Sequence, residues 1–284
     1  SRAQAAMEAT INIATAALVG GNMIHDVGYL EQGLTSSAEM MVASESVALD
    51  TLGFERVRDV DPGEAVIFTQ DGKLHTEQCA DSWQRSPCIF EFVYFARPDS
   101  DVFGDVVYER RKAMGAMLAK EAPVDADFVM PFPDSGNYAA VGYSQESGLP
   151  LELAMIRNHY VGRTFIQPSQ DMRDFSVRVK LNPVKSVIKG KRIVIVEDSI
   201  VRGTQLRDNV QILFEYGVRE VHMRPACPPL VCGCRFLNFS RSRSELDLAG
   251  RRAIAELEGD AAEVPTTYTD SSTPEYAAMI EKIR

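Results

Sequence analysis

The sequence predicts an α/β protein in which helices cover both faces of a mainly parallel sheet. Short apolar runs occur at 127–132, 192–198 and 220–226, and helical patterns separate them. The first two runs, with FVMPF and IVIV at their centres, are almost continuously apolar rather than alternating, which is typical of strands that are buried on both faces. Strands that alternate with helices along the chain favour a parallel sheet.

The segments before residue 98 have a different character. Residues 1–41 are rich in Ala and Met and read as helix up to Gly20-Gly21. A capped helix is predicted over 34–54, with Ser36 or Ser37 as its N-cap. The run 64–78 predicts a hairpin with its turn at Asp71-Gly72, and the aromatic run 88–96 predicts a further strand.

After residue 98 the pattern alternates regularly, except for a polar, basic and aromatic stretch at 158–175. A loop of that length inside a compact domain is usually a lid or a binding loop. The predicted elements are a helix at 105–121, a strand at 127–132, a helix at 135–148, a strand at 151–156, a strand at 192–198, a helix at 204–216 and a strand at 220–226.

Composition narrows the function classes. The 284 residues contain 40 acidic and 30 basic side chains, giving a formal charge of −10. This balance argues against a general nucleic-acid or anionic-membrane binder. No apolar run approaches the roughly 20 residues that span a bilayer, and the N-terminus lacks a signal-peptide pattern, so a cytoplasmic location without membrane partners is expected.

The cysteine count argues against a disulfide framework, because five is an odd number in a chain of cytoplasmic character. Cys232 and Cys234 form a CGC pair, which suits a metal or cluster site better than a structural bridge. The alternative is that all five are reduced thiols without a ligand. They are Cys79, Cys88, Cys227, Cys232 and Cys234.

The string VEDSIVRGT, at residues 196–204, places two carboxylates at the end of a predicted buried strand. Ligands of open parallel sheets bind beyond these carboxyl ends. The following turn enters a helix whose unpaired N–H groups favour a phosphate, and Gly203 allows close approach. A phosphate on the turn, with sugar hydroxyls or Mg²⁺ on Glu197 and Asp198, fits a ribose 5-phosphate. An ordinary helix cap is the alternative for the acidic pair alone.

The longer string VIVEDSIVRGT resembles the signature of phosphoribosyltransferases that use 5-phosphoribosyl-1-pyrophosphate (PRPP). Its SIVRGT form resembles the amidophosphoribosyltransferase family, as do PCIFEFVYFARPDS, MPFPDSGNYAAVGY and NHYVGRTFIQPSQ, and the likeness covers about 42–258. It implies a type I phosphoribosyltransferase core at 88–284. A β-rich remnant of an N-terminal-nucleophile glutaminase domain would precede this core at 42–87.

The resemblance also implies an activity. The family is a class of pentosyltransferase that forms 5-phosphoribosylamine from PRPP in the first step of de novo purine synthesis, with Mg²⁺ as cofactor and a homo-oligomeric assembly. Its glutaminase domain begins with a catalytic cysteine, whereas Ser1 is first here and the earliest cysteine is Cys79. Ammonia is therefore the nitrogen donor expected for this chain, and glutamine is the donor expected for a full-length parent.

The site residues follow from the same resemblance. Glu197, where the family usually has Asp, and Asp198 would bind the ribose hydroxyls and Mg²⁺. In the PDSG loop, which alone would read as a plain turn, Ser135 would also bind Mg²⁺. The remaining expected residues are Asp134, Ser135 and Gly136 for pyrophosphate; Ser199, Ile200, Val201, Arg202, Gly203 and Thr204 for the 5-phosphate; Tyr160 and Arg163 as catalytic residues of a closing loop; and Arg157, Thr164 and Gln170 as further candidates there.

Two features depart from the family. Cys88 and Cys234 match two of the four ligands of a [4Fe–4S] cluster found in some members, but no CxxC follows. A cluster is therefore expected in a full-length parent rather than in this chain. Residues 1–41 instead resemble a fragment of the trimethylamine methyltransferase family. They are far too few for its barrel of roughly 250 residues, so a foreign segment joined near residue 41 is the hypothesis.

The sequence is also compatible with two other functions. A salvage phosphoribosyltransferase acting on a base would share the acidic signature, although it would not need YVGRTFIQP. A regulator that senses PRPP without catalysis would usually add a nucleic-acid-binding module, and no segment predicts one.

Overall fold

The computed structural model describes residues 29–30, 35–36, 42–68, 74–158, 181–234, 244–259 and 264–283. The chain divides into two compact units, Ser1–Tyr108 and Glu109–Arg284. The family-based boundaries at 41/42 and 87/88 stay predictions.

The first unit consists of short elements. Tyr29–Leu30 (β1) pairs antiparallel with Thr35–Ser36 (β2). The other elements are the helix Ser46–Leu52 (α1), the strands Glu64–Phe68 (β3) and Leu74–Gln78 (β4), a π-helix at Glu91–Phe95, and the strands Asp101–Val102 (β5) and Asp105–Val106 (β6). Strands β3 and β4 form the predicted hairpin in antiparallel register, and its predicted turn lies outside the described residues.

The predicted helix start at Ser36 or Ser37 is wrong, because Ser36 lies in β2 and the helix begins ten residues later, at Ser46. Contacts distant in sequence fix this later start. The Glu45 carboxylate accepts hydrogen bonds from the Arg97 N–H at 2.6 Å and the Ser100 hydroxyl at 2.8 Å. A helix start held by such partners is not visible in the local sequence.

The predicted strand at 88–96 is also wrong, since Glu91–Phe95 forms a π-helix. Its aromatic and β-branched composition is typical of strands, but the backbone bonds locally, with Ala96 N–H donating to the Glu91 carbonyl at 3.1 Å. Phe92 packs edge-on against Phe103, with ring centroids 6.0 Å apart. The π-helix buries Glu91 and Val93 and leaves Tyr94 exposed, so local backbone bonding has prevailed over strand propensity.

The second unit contains the parallel sheet. The helix Val107–Glu121 (α2) spans the boundary between the two units. The elements that follow it are Phe128–Pro131 (β7), Asn137–Ser147 (α3), Met155–Arg157 (β8), Leu181–Pro183 (β9), Lys185–Ile188 (α4), Arg192–Glu197 (β10), Thr204–Glu215 (α5), Glu220–Pro225 (β11), a 3₁₀ turn at Glu245–Asp247, Ala249–Glu258 (α6), a 3₁₀ turn at Thr266–Thr269 and Pro274–Ile283 (α7). The predicted helices and strands between 105 and 226 are present, although the strand expected at 151–156 is found at Met155–Arg157.

The sheet has the order β11–β10–β7 with all three strands parallel. On one face, Ile193 and Ile195 pack with Ile188 of α4 and Leu213 of α5. On the other face, Val194 packs with residues of α2 and α3. The predicted architecture, a parallel sheet covered on both faces, is confirmed. Within the ranges described, none of the helices combines the length and hydrophobicity that a membrane crossing requires.

Two glycines allow α2 and α3 to cross at backbone contact. A Cβ added at Gly115 would lie 1.8 Å from the Ala139 carbonyl oxygen, and one at Gly142 would lie 1.9 Å from that of Lys112. Both distances are far below van der Waals contact, so any side chain at either position would push the helices apart.

We expect Gly115→Ala to lower the free energy of unfolding by roughly 2 kcal/mol, because overpacking outweighs the better helix propensity of Ala. Urea unfolding of the full chain measures the change. Ala113→Val, on an exposed position of the same helix, is the matched control and should cost much less. A Gly115→Ala chain as stable as the unsubstituted protein would contradict the close crossing.

Candidate active site

The PDSG loop passes directly over the end of β10. Phe132 N–H donates to the Val196 carbonyl at 2.8 Å, and a Cβ added at Gly136 would lie 2.2 Å from the same oxygen. The peptide bond between Pro133 and Asp134 is cis. The Ser135 hydroxyl donates to Oε1 of Glu197 at 3.0 Å. The loop is therefore joined to the first carboxylate of the acidic pair.

The acidic pair lies where β10 leaves the core. Asp198 is only 8% exposed, and its carboxylate accepts a short hydrogen bond from the Ser199 hydroxyl. Burial and the neighbouring charge of Asp198 raise the pKa of Glu197 to about 8. Two adjacent carboxylates in a poorly hydrated environment can both be ionised only if a cation or hydrogen-bond donors compensate their charges.

The residues present fit a Mg²⁺ ion that is shared with a substrate. Ser135, Glu197 and Asp198 offer only oxygen donors, which hard cations prefer. Nowhere in the described ranges do three or more His, Cys, Asp or Glu side chains gather into a metal-binding cluster. Mg²⁺ typically uses one or two carboxylates and takes its other ligands from water and substrate phosphates, so two carboxylates suffice.

The turn after the acidic pair enters helix α5 through Gly203, whose φ of +75° is in the left-handed region that favours glycine. The predicted phosphate-binding residues Ser199, Ile200, Val201 and Arg202 form this turn, and Thr204 is the first residue of the helix. The first N–H groups of a helix lack intrahelical partners and favour an anion. The turn thus has the backbone form expected of a phosphate site.

Arg157 is the candidate from the closing loop that the structure brings to the site. It ends β8, and its guanidinium forms an ion pair with the Asp134 carboxylate. A cationic side chain thereby lies beside the PDSG loop. An anion bound in that loop would find a ready charge partner in Arg157.

Cys227, which the sequence did not mark as a site residue, adjoins the acidic pair. Its N–H donates to the Asp198 carbonyl at 3.1 Å. Burial and the Asp198 charge raise the pKa of the Cys227 thiol to about 12, which keeps it protonated. Neighbouring parallel strands have their carboxyl ends at the same edge of a sheet. The position of Cys227 just after β11 could therefore have indicated that it lies near the acidic pair.

The described part of the chain brings no other predicted residue to this site. Tyr160, Arg163, Thr164 and Gln170 lie outside the described residues. Cys88 is exposed in the first unit and Cys234 is half-buried in the second, and all five cysteines are free thiols. An iron–sulfur cluster on these two cysteines, and a metal site on the CGC pair, stay predictions.

The parallel sheet, the acidic strand end and the glycine-containing turn define a type I phosphoribosyltransferase fold. Two solved structures share it. "Structure of the allosteric regulatory enzyme of purine biosynthesis" aligns with a TM-score of 0.67 at 40% identity, covering 85% of this chain and 50% of that one. The glutamine PRPP amidotransferase from B. subtilis, complexed with ADP and GMP, aligns at 0.65 and 38%, covering 84% and 51%.

The chain belongs to the amidophosphoribosyltransferase family. It is 50% identical to the Archaeoglobus fulgidus amidophosphoribosyltransferase over 217 residues, 76% of this chain and 47% of the relative. It is 48% identical to the Synechocystis enzyme of that name over 231 residues, 81% and 46% respectively. The chain thus spans about half the length of these relatives. No protein-family profile matches it, and nothing in these comparisons supports the trimethylamine methyltransferase resemblance of residues 1–41.

We expect Glu197→Gln to remove a loss of stability that develops as the pH rises towards 8. The folded-state pKa of Glu197 is about 8 against an ordinary 4.5. The native state therefore favours the protonated carboxyl, and this stabilisation is complete below pH 4.5 and is lost as pH rises towards 8. With a chelator present, the thermal midpoint of the unsubstituted chain should fall by about 5 °C more than that of the variant between pH 6 and 8.5.

Glu152→Gln is the matched control, because Glu152 is exposed in the same unit. Its midpoint should follow that of the unsubstituted chain across the pH range. If the thermal midpoint of Glu197→Gln also followed that of the unsubstituted chain, the raised pKa of Glu197 would be contradicted.

Proposed function

We propose that this chain carries out the phosphoribosyl transfer of an amidophosphoribosyltransferase. In this reaction, ammonia displaces pyrophosphate from C1 of PRPP and yields 5-phosphoribosylamine, the first step of de novo purine synthesis. The observation that carries the proposal is the Ser135–Glu197 hydrogen bond of 3.0 Å. It joins the loop proposed for pyrophosphate to the carboxylates proposed for ribose, so the two groups on either side of the scissile bond have adjacent sites.

The residues divide the substrate between them. Glu197 and Asp198 accept hydrogen bonds from the ribose hydroxyls, and the turn from Ser199 to Thr204 binds the 5-phosphate. Asp134, Ser135 and Gly136 border the pyrophosphate, with Arg157 beside them. Bound Mg²⁺ supplies positive charge that neutralises the departing pyrophosphate.

The chemistry requires positioning more than proton transfer. The C1–O bond to pyrophosphate breaks, the C1–N bond forms, and the new ammonium group then loses a proton to solvent. Positive charge develops on the ribose ring in the transition state, and the carboxylates of Glu197 and Asp198 stabilise it. Tyr160 and Arg163 are proposed to close over the substrate and exclude water, which would otherwise hydrolyse the activated sugar.

Further proposals rest on family membership alone. They are a homo-oligomeric assembly, a cytoplasmic location and, in a longer protein, glutamine as nitrogen source and a [4Fe–4S] cluster held partly by Cys88 and Cys234. The named relatives in plants are chloroplastic, so location varies within the family.

Pyrophosphate release from PRPP and Mg²⁺ tests the proposal, with ammonia, glutamine or a purine base added separately to the full chain. We expect release with ammonia, and a decrease of about 100-fold in kcat for Asp198→Asn because a transition-state contact is lost. Asp125→Asn is the matched control, since Asp125 is an exposed carboxylate beside Arg192 at the opposite end of β10. Release with a base alone would identify a salvage enzyme, and PRPP binding without release would identify a regulator.

We expect Arg157→Gln to weaken inhibition by pyrophosphate about tenfold, because a charged hydrogen-bond partner of the leaving group is removed. The inhibition constant of Mg²⁺-pyrophosphate against PRPP measures the change. Inhibition by ribose 5-phosphate should remain the same, since Arg157 is paired with Asp134 of the PDSG loop. Equal weakening of both inhibitors would contradict this role.

A further inference from the structure

Helix α6 holds the proposed phosphate turn through two backbone carbonyls. The Ala249 N–H donates to the Val201 carbonyl at 2.8 Å. The Arg252 guanidinium donates to the Arg202 carbonyl at 3.1 Å, and its other terminal nitrogen lies 3.4 Å from the Leu246 carbonyl. Helix α6 thus holds the backbone of the turn at two carbonyls. The sequence of the turn does not itself indicate these contacts.

These contacts decide which way the amides of the turn point. In a planar trans peptide, the C=O and the N–H point in opposite directions. Within the described chain only the Pro133–Asp134 bond is cis, so the peptides at Val201–Arg202 and Arg202–Gly203 are trans. Because their carbonyls point towards α6, the N–H groups of Arg202 and Gly203 point away from it. An anion on that side meets aligned donors.

Helix α6 is itself held firmly. A Cβ added at Gly250 would lie 2.7 Å from the Leu230 carbonyl oxygen, so the helix meets the segment after β11 at backbone contact. Leu248 and Ile254 are each 1% exposed, and Ile254 packs with Met279 of α7. Because α6 is packed in this way, it can hold the two carbonyls of the turn in fixed positions.

We propose that Arg252 is a positioning residue for the 5-phosphate, a role that rests on the proposed function. Arg252 acts through the Arg202 carbonyl and not by touching the substrate. Its guanidinium keeps the Arg202–Gly203 peptide in the orientation that presents the Gly203 N–H to the phosphate. Without this hydrogen bond, the Arg202–Gly203 peptide can rotate. The entropy lost when the peptide is ordered again then weakens phosphate binding.

The test compares two ligands that occupy different ends of the proposed site. In Arg252→Ala, we expect the Kd of ribose 5-phosphate, measured calorimetrically with Mg²⁺, to rise about tenfold through the loss of a charged hydrogen bond. The Kd of Mg²⁺-pyrophosphate should stay the same. KM for PRPP should rise while kcat changes little, and Arg252→Lys should recover part of the ribose 5-phosphate affinity by donating to the Arg202 carbonyl.

Arg219→Ala is the matched control, because it removes the same charge from an exposed position just before β11, at the opposite edge of the sheet. It should bind both ligands as the unsubstituted chain does. An unchanged ribose 5-phosphate affinity in Arg252→Ala overturns the proposal. Equal weakening of both ligands, with a lowered thermal midpoint, also overturns it by showing general destabilisation. Calorimetry measures ribose 5-phosphate binding whether or not the chain turns PRPP over. A failure of the proposed catalytic function is therefore distinguished from a failure of this proposal.

Discussion

The site depends on the way in which strand β10 leaves the core. Its residues from Ile193 to Val196 are fully buried, because helices cover both faces of the sheet. The next two residues are carboxylates, and an apolar interior cannot hold their charges. The acidic pair must therefore lie at the edge of the sheet, where the PDSG loop and the turn into α5 also begin. One strand end thereby determines where a ligand would bind.

The neighbouring strands reinforce that position. Parallel pairing continues beyond β10 on one side, where the Ala226 and Cys227 N–H groups donate to the Glu197 and Asp198 carbonyls at 2.8 and 3.1 Å. On the other side the Phe132 N–H donates to the Val196 carbonyl at 2.8 Å. The backbone of the pair is thus held by hydrogen bonds from both neighbours, which leaves its side chains to face the two loops.

The sequence predicted those parts of the structure that local pattern controls. Continuous apolar runs identified the parallel strands, and VEDSIVRGT with PDSG identified the loops that meet. Prediction failed where distant partners decide, as at Ser46, where Glu45 binds Arg97 and Ser100. For the same reason Arg252 was not found: its contact with Arg202 joins residues 50 apart, and neither residue belongs to a motif that indicates the other.

The presence of Glu rather than the shorter Asp at position 197 has a local structural consequence. The longer side chain turns back, so that Oε1 accepts hydrogen bonds from the Ser135 hydroxyl and from the Asp198 N–H, each at 3.0 Å. Both donors favour the charged carboxylate, but burial and the Asp198 charge outweigh them and keep its pKa high. A bound cation would reverse this balance. At neutral pH, ionisation of Glu197 is therefore coupled to the binding of a cation at the acidic pair.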